Sequence, residues 1–81
     1  MKVVVTVMPK PGVLDPQGLA IGHALQSLGF AGVNDVRAGK VIELELTEVD
    51  PERARAAAEH MATRLLANPV IESFRVSLDA A

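Results

Sequence analysis

Residues 2 to 8, KVVVTVM, alternate with a period of two. Val3, Val5 and Val7 fall on one face, and Lys2, Val4, Thr6 and Met8 on the other. The β-branched content predicts a strand, ended by Pro9 and Pro11 and turned by Gly12. The period then changes. Leu14, Gly18, Ile21, Leu25 and Leu28 recur at a 4-3-4-3 spacing, the stripe of an amphipathic helix. Asp15 caps that helix, and Pro16 takes its first position, where a missing N–H costs nothing. Gly29 closes it as a left-handed C-terminal residue. Gly18 lies on the stripe itself, where it lets the helix approach a neighbouring backbone. A glycine merely tolerated there would cost about 1 kcal/mol against alanine.

Residues 33 to 37, VNDVR, read as a short strand, and AGK at 38 to 40 as a turn. Residues 41 to 47, VIELELT, alternate again, with Ile42, Leu44 and Leu46 inward and Glu43, Glu45 and Thr47 outward. A hairpin and one bent strand both fit 33 to 47. Asp50-Pro51 repeats the helix start, and Ala54, Ala58, Met61 and Leu65 make a second stripe. Arg53, Arg55, Glu59 and Arg64 fall on its solvated side. Asn68 followed by Pro69 stops the helix. A last strand runs from about 70 to 78, with Phe74, Val76 and Leu78 inward. Glu72 shares their face by alternation. A strand-boundary effect, a bulge or an interface would each account for it.

The order β-α-β-β-α-β, with 35 residues between the two Asp-Pro pairs, predicts an α+β fold. It is the split βαβ (ferredoxin-like) arrangement: an antiparallel sheet with two helices on one face. The other sheet face carries Val4, Met8, Val41 and Ile71 among polar residues, too apolar a set to leave wet. A second copy of the chain, docking through the sheet, would cover it.

Composition narrows the picture. The 81 residues make one domain, 1–81. There is no cysteine, hence no disulfide and no thiolate chemistry. Only Phe30 and Phe74 are aromatic, so Val, Leu, Ile, Ala and Met build the core. A small aliphatic core gains burial by association, which favours a homodimer or homotetramer. A net charge of −2 gives no electrostatic footprint for nucleic acid or an anionic membrane. No apolar run reaches the roughly 18–20 residues of a membrane helix, and the N-terminal valines are too short and too β-branched for a signal peptide. The chain is expected in the cytoplasm.

Little catalytic chemistry is visible. Neither phosphate-binding glycine motif is present, and Ala38-Gly39-Lys40 joins strand to strand rather than strand to helix. His23 and His60 are not at metal-ligand spacing. Glu43 and Glu45 face the same way but read as a solvated strand face. Lys10, Arg37 and Lys40 sit in or near loops at strand ends, placed to meet an acidic partner or a phosphate. The residues alone describe a small oligomeric α+β module without catalytic, cofactor or metal sites.

Four segments, in order, go further: KPGVLDPQG (10–18), AL-x-x-LGF (24–30), V-x-x-VR-x-GK (33–40) and LLANPVIE (65–72). Together they resemble the PurS family, the small subunit of phosphoribosylformylglycinamidine (FGAM) synthase, and span nearly the whole chain. The resemblance implies a PurS-like fold and a place in de novo purine synthesis. In that complex a PurQ glutaminase releases ammonia. A PurL synthetase uses ATP and Mg²⁺ to activate formylglycinamide ribonucleotide for its capture. PurS bridges the two without catalysing, and ATP and Mg²⁺ belong to the synthetase. Among the residues matching the family's motifs, Gly12, Asp15, Pro16, Gly18, Gly39 and Asn68 have structural explanations. Lys10, Arg37, Lys40 and Glu72 do not, which makes them the partner-interface candidates. The competing expectation is a free-standing regulatory module binding a small effector. Such modules carry a glycine-rich loop after the first strand, and Lys10-Pro11-Gly12 is a poor version of it.

Overall fold

The computed structural model describes residues 1–79 of the chain. Three strands form one antiparallel sheet: β1 (Lys2–Pro9) lies between β2 (Lys40–Glu45) and β3 (Glu72–Asp79). Two helices, α1 (Pro16–Ser27) and α2 (Pro51–Met61), complete the α+β fold, and α2 runs into a π-helical turn over Ala62–Leu66. Pairing of β1 puts Val3 beside Leu44 and Leu78, Val5 beside Ile42 and Val76, and Val7 beside Phe74. These side chains make the inner face anticipated from alternation.

Val3, Val5, Val7, Ala54, Ala58 and Ala62 are fully buried. The pairing of valine with alanine has a steric logic. Three alanines at four-residue spacing leave no bulk on that side of α2, so its backbone settles close against the pleated valines. Each buried valine contributes about 1.5–3 kcal/mol of transfer free energy.

The second apolar stripe differs from the expected one. Burial continues from Ala58 to Ala62 and Leu66, leaving Met61 39 % and Leu65 83 % exposed. The helix crosses the sheet along its i, i+4 ridge. Its last turn is widened by the bond from the Ala67 N–H to the Ala62 carbonyl at 2.9 Å, a five-residue step. Arg55 is exposed as expected, and its guanidinium also donates to the Val76 carbonyl at 2.9 Å.

Two larger differences concern the first half. Residues 33 to 39 form no strand and no hairpin with β2; they run as an irregular segment directly into Lys40. The sheet is therefore three-stranded within one chain. Further, the helix that packs extensively on the sheet is α2, against β1 and β3. α1 packs on the 33–37 segment, where Gly18 and Gly22 lie against Val36. Leu14, Ile21 and Leu28 of the expected stripe are consequently 75 %, 39 % and 73 % exposed. Gly18 alone on α1 is buried. A Cβ there would collide with the Val36 carbonyl oxygen and the Asp15 carboxylate, so the close approach inferred for Gly18 is real, against the 33–37 segment rather than the sheet.

Candidate functional site

The register gathers the candidate residues at one end of the sheet. Lys10 follows the last residue of β1, Lys40 opens β2 opposite Val7, and Glu72 opens β3 opposite Pro9. Arg37 lies just before β2. Each reaches this end for a local reason. The Lys10 N–H extends the β1–β3 ladder by donating to the Ile71 carbonyl at 2.8 Å. Its ammonium donates to the Pro69 carbonyl at 2.7 Å. The Arg37 guanidinium donates to the Pro9 carbonyl. Glu72 accepts from the Asn68 N–H at 2.7 Å, and Asn68 Oδ1 accepts from the Val70 N–H at 3.1 Å. Glu72 thus sits at the boundary of β3 with its carboxylate closing the turn before it, and no bulge is needed. Lys10, Arg37 and Glu72 all have structural partners that sequence reasoning did not supply.

Beside this end lies a cleft of about 540 Å³ between the 9–15 loop, α1 and the 33–37 segment, lined by Lys10, Asp15, His23 and Arg37 among others. Asp15 holds it in shape. One carboxylate oxygen accepts from the Gly18 N–H at 3.0 Å and the other from the Ala38 N–H at 2.8 Å. These bonds, Gly18 foremost and Ala38 next, hold the Asp15 carboxyl below the usual aspartate range. The Gln17 N–H and the Arg37 charge lower it further, and partial desolvation opposes them. The sequence showed Asp15 as a cap; its second bond, 23 residues along the chain, carried no local signal.

The outer sheet face holds the other candidate set. Val4 and Met8 are half-buried, Val41 is 64 % exposed and Ile71 43 %. Gly39 lies against Met8, where a Cβ would strike the Val7 carbonyl and the Met8 sulfur. At the far end of this face Lys2 pairs with Glu43 at 3.3 Å and Asp79 at 3.8 Å. An apolar centre rimmed by charge at one end is the anatomy of an interface. Among the described residues no cluster of three metal-ligating side chains occurs, and no helix is long and apolar enough to cross a membrane.

Comparison with known proteins agrees with this architecture. Residues 2–80 match the family model "PurS: Phosphoribosylformylglycinamidine (FGAM) synthase". The phosphoribosylformylglycinamidine synthase subunit PurS of Bacillus subtilis is 44 % identical over 78 residues, covering 96 % of this chain and 92 % of that protein. The crystal structure of Methanocaldococcus jannaschii PurS superposes with a TM-score of 0.86 at 36 % identity, covering 99 % and 96 % of the two chains. A chain of the Thermotoga maritima PurLQS structure does so with a TM-score of 0.83 at 32 % identity, covering 94 % and 93 %. With a match this complete in sequence and in fold, the chain belongs to the PurS family.

Proposed function

We propose that this chain is the non-catalytic bridging subunit of an FGAM synthase in the cytoplasm, acting in de novo purine biosynthesis. It works as a homo-oligomer between a PurQ-type glutaminase and a PurL-type synthetase. The reaction of the assembly converts formylglycinamide ribonucleotide, ATP and glutamine to formylglycinamidine ribonucleotide, with ATP and Mg²⁺ held by the synthetase. The observation that carries the reading is the end-to-end likeness to PurS chains, one of them from a PurLQS structure. In this reading Lys10, Arg37, Lys40 and Glu72 meet the partner subunits, and Val4, Met8, Val41 and Ile71 lie in an interface between copies. Their placement supports it: the charged set shares one end of the sheet and the apolar set one face.

The test is amidine synthesis by the PurL and PurQ subunits of the same organism, with and without this chain. Glutamine-dependent turnover should require it, and ammonium-driven turnover should not. Indifference of both reactions, with no complex on gel filtration, would exclude the role and direct attention to effector binding by the isolated oligomer.

A further inference from the structure

The cleft beside the sheet end has two chemically different ends. Gly18 and Gly22 bring the 33–37 segment down on α1 at Val36. The 9–15 loop walls the third side, leaving about 540 Å³. Small-molecule sites are ordinarily about 300–1,000 Å³, apolar in lining, with a few convergent polar groups. Val13, Leu19, Val33 and Val36 supply the apolar walls here.

Two cations stand at the sheet end of the cleft. Lys10 follows Pro9 in the chain, and the Arg37 guanidinium donates to the Pro9 carbonyl, so both charges flank one peptide. Each is bonded only to a neutral carbonyl, Lys10 to that of Pro69 and Arg37 to that of Pro9. Neither has an ion-pair partner among the described residues, and most of both donor sets is unspent. The Asp15 carboxylate lines the same end but is committed to the N–H groups of Gly18 and Ala38. By contrast, Lys2 and Arg53, outside the cleft, have carboxylates at 3.3 and 3.8 Å. The other end is polar in a different way. His23 and Gln26 of α1 face it, with Asn34 and Asp35 from the 33–37 segment. The hydrogen bonds of this region run to Lys10, Asp15 and Arg37 and leave those four side chains free among the described residues. α1 rises about 1.5 Å per residue, so Gln26 stands about 12 Å along the helix from Gly18.

We propose that this cleft binds a small polar molecule by its oxyanion, a phosphate or a carboxylate, held between Lys10 and Arg37, with hydroxyl or amide groups of the ligand reaching Gln26, Asn34 and Asp35. Charge-assisted bonds from an ammonium and a planar guanidinium fix an oxyanion in position. The amides of Gln26 and Asn34 both donate and accept, which suits a polyol or amide tail. The Asp35 carboxylate accepts from a hydroxyl and repels a second anion, so the ligand carries its negative charge at one end only. Lys40 and Glu72 lie at the same sheet end but outside the cleft. The site belongs to the chain itself and does not depend on the assignment to a synthase.

The test is calorimetric titration of the full chain, in whatever oligomer it forms, at physiological salt. Ribose 5-phosphate and gluconate place a phosphate or a carboxylate on a polyol; inorganic phosphate and ribose are the head and the tail alone. At least one of the two polyol anions should bind with a Kd below about 1 mM, about tenfold or more tighter than inorganic phosphate, and ribose should not bind. Which of the two binds identifies the oxyanion. Lys10→Gln and Arg37→Gln should each weaken binding about tenfold, whereas Lys2→Met should leave it unchanged. Because Lys10 and Arg37 also hold loops, Gln26→Ala/Asn34→Ala is the second variant. It should keep the melting temperature and erase the advantage over inorganic phosphate. Failure of both polyol anions to bind up to about 10 mM would overturn the proposal. So would an affinity untouched by Arg37→Gln or by the double variant, or an equal loss in Lys2→Met.

Discussion

The Asp15 carboxylate accepts from the backbone N–H of Ala38 at 2.8 Å, 23 residues away, while capping its own helix at Gly18. Asp50 makes the same kind of cap on α2, accepting from the Arg53 N–H at 3.2 Å, with no comparable long-range bond among the described residues. Asp15→Ala should therefore lower the melting temperature more than Asp50→Ala. A pH dependence follows. Because the folded carboxyl is held below its unfolded value, its contribution is complete above about pH 4–5 and is lost as pH falls through the folded pKa. Thermal melts of the wild type and Asp15→Asn should differ by a constant amount at pH 6–8 and converge toward pH 3. A gap that persists unchanged in acid would assign the effect to packing.

Gly18 and Gly22 are one helical turn apart, yet they should respond oppositely to alanine. At Gly18 the new methyl meets a carbonyl oxygen and a carboxylate, so Gly18→Ala should destabilise by about 1–3 kcal/mol, the cost of overpacking. At Gly22 the nearest heavy atom is Val36 Cγ2 at 3.5 Å, an ordinary contact. Gly22→Ala should be neutral or stabilise by up to about 1 kcal/mol through helix propensity. Urea titrations of both variants decide the matter.

The legible parts of this fold were those set by short-range patterns. Alternation placed Val3, Val5 and Val7 inside, and Asp-Pro marked both helix starts, because those signals are carried by neighbouring residues. What stayed hidden was decided at a distance. Residues 33 to 37 read as a strand, but nothing in that pentapeptide supplies a pairing partner, and it runs unpaired into β2. The stripe of α1 was correct as a stripe and silent on what covers it. Lys10, Arg37 and Glu72 were picked out for lacking a structural role, and all three make backbone bonds that only the folded chain reveals. Burial follows Ala58, Ala62 and Leu66 rather than Met61 and Leu65 because α2 crosses the sheet along its i, i+4 ridge, and a 4-4-4 run and a 4-3-4 run are both available in the sequence.

Val5 sits at the centre of β1, fully buried between Ile42 and Val76. Val5→Ala should cost about 2–3 kcal/mol, transfer plus cavity. In a domain of this size that lowers the melting temperature by roughly 10–20 °C. Val41→Ala, on the exposed outer face, should change monomer stability by less than about 0.5 kcal/mol. Calorimetry on the two variants separates core from surface valines.

Lys2 has two acidic neighbours, yet its contribution should be small. All three groups are substantially exposed, and the longer pair is at 3.8 Å. Exposed pairs typically contribute about 0–1 kcal/mol. Lys2→Met should shift the urea midpoint by less than the equivalent of about 1 kcal/mol, with the difference shrinking further in 0.5 M salt.

Lys40 is the sharpest probe of the charged end, because no hydrogen bond or ion pair to its ammonium occurs among the described residues. Lys10, by contrast, holds the Pro69 carbonyl, and Arg37 the Pro9 carbonyl, so changing either also loosens the loops. Lys40→Glu should leave the melting temperature of the isolated chain within a degree or two. It should weaken assembly with the PurL and PurQ subunits by tenfold or more, equivalent to at least about 1.4 kcal/mol, if an acidic partner surface faces this end. Lys10→Glu should do the same with some loss of stability. The decisive comparison is the ratio of glutamine-driven to ammonium-driven turnover at limiting concentrations of this chain. A fall in that ratio with an unchanged melting temperature places Lys40 in the interface. An unchanged ratio for both charge reversals moves the contact elsewhere, and the outer face around Val41 and Ile71 becomes the next surface to alter.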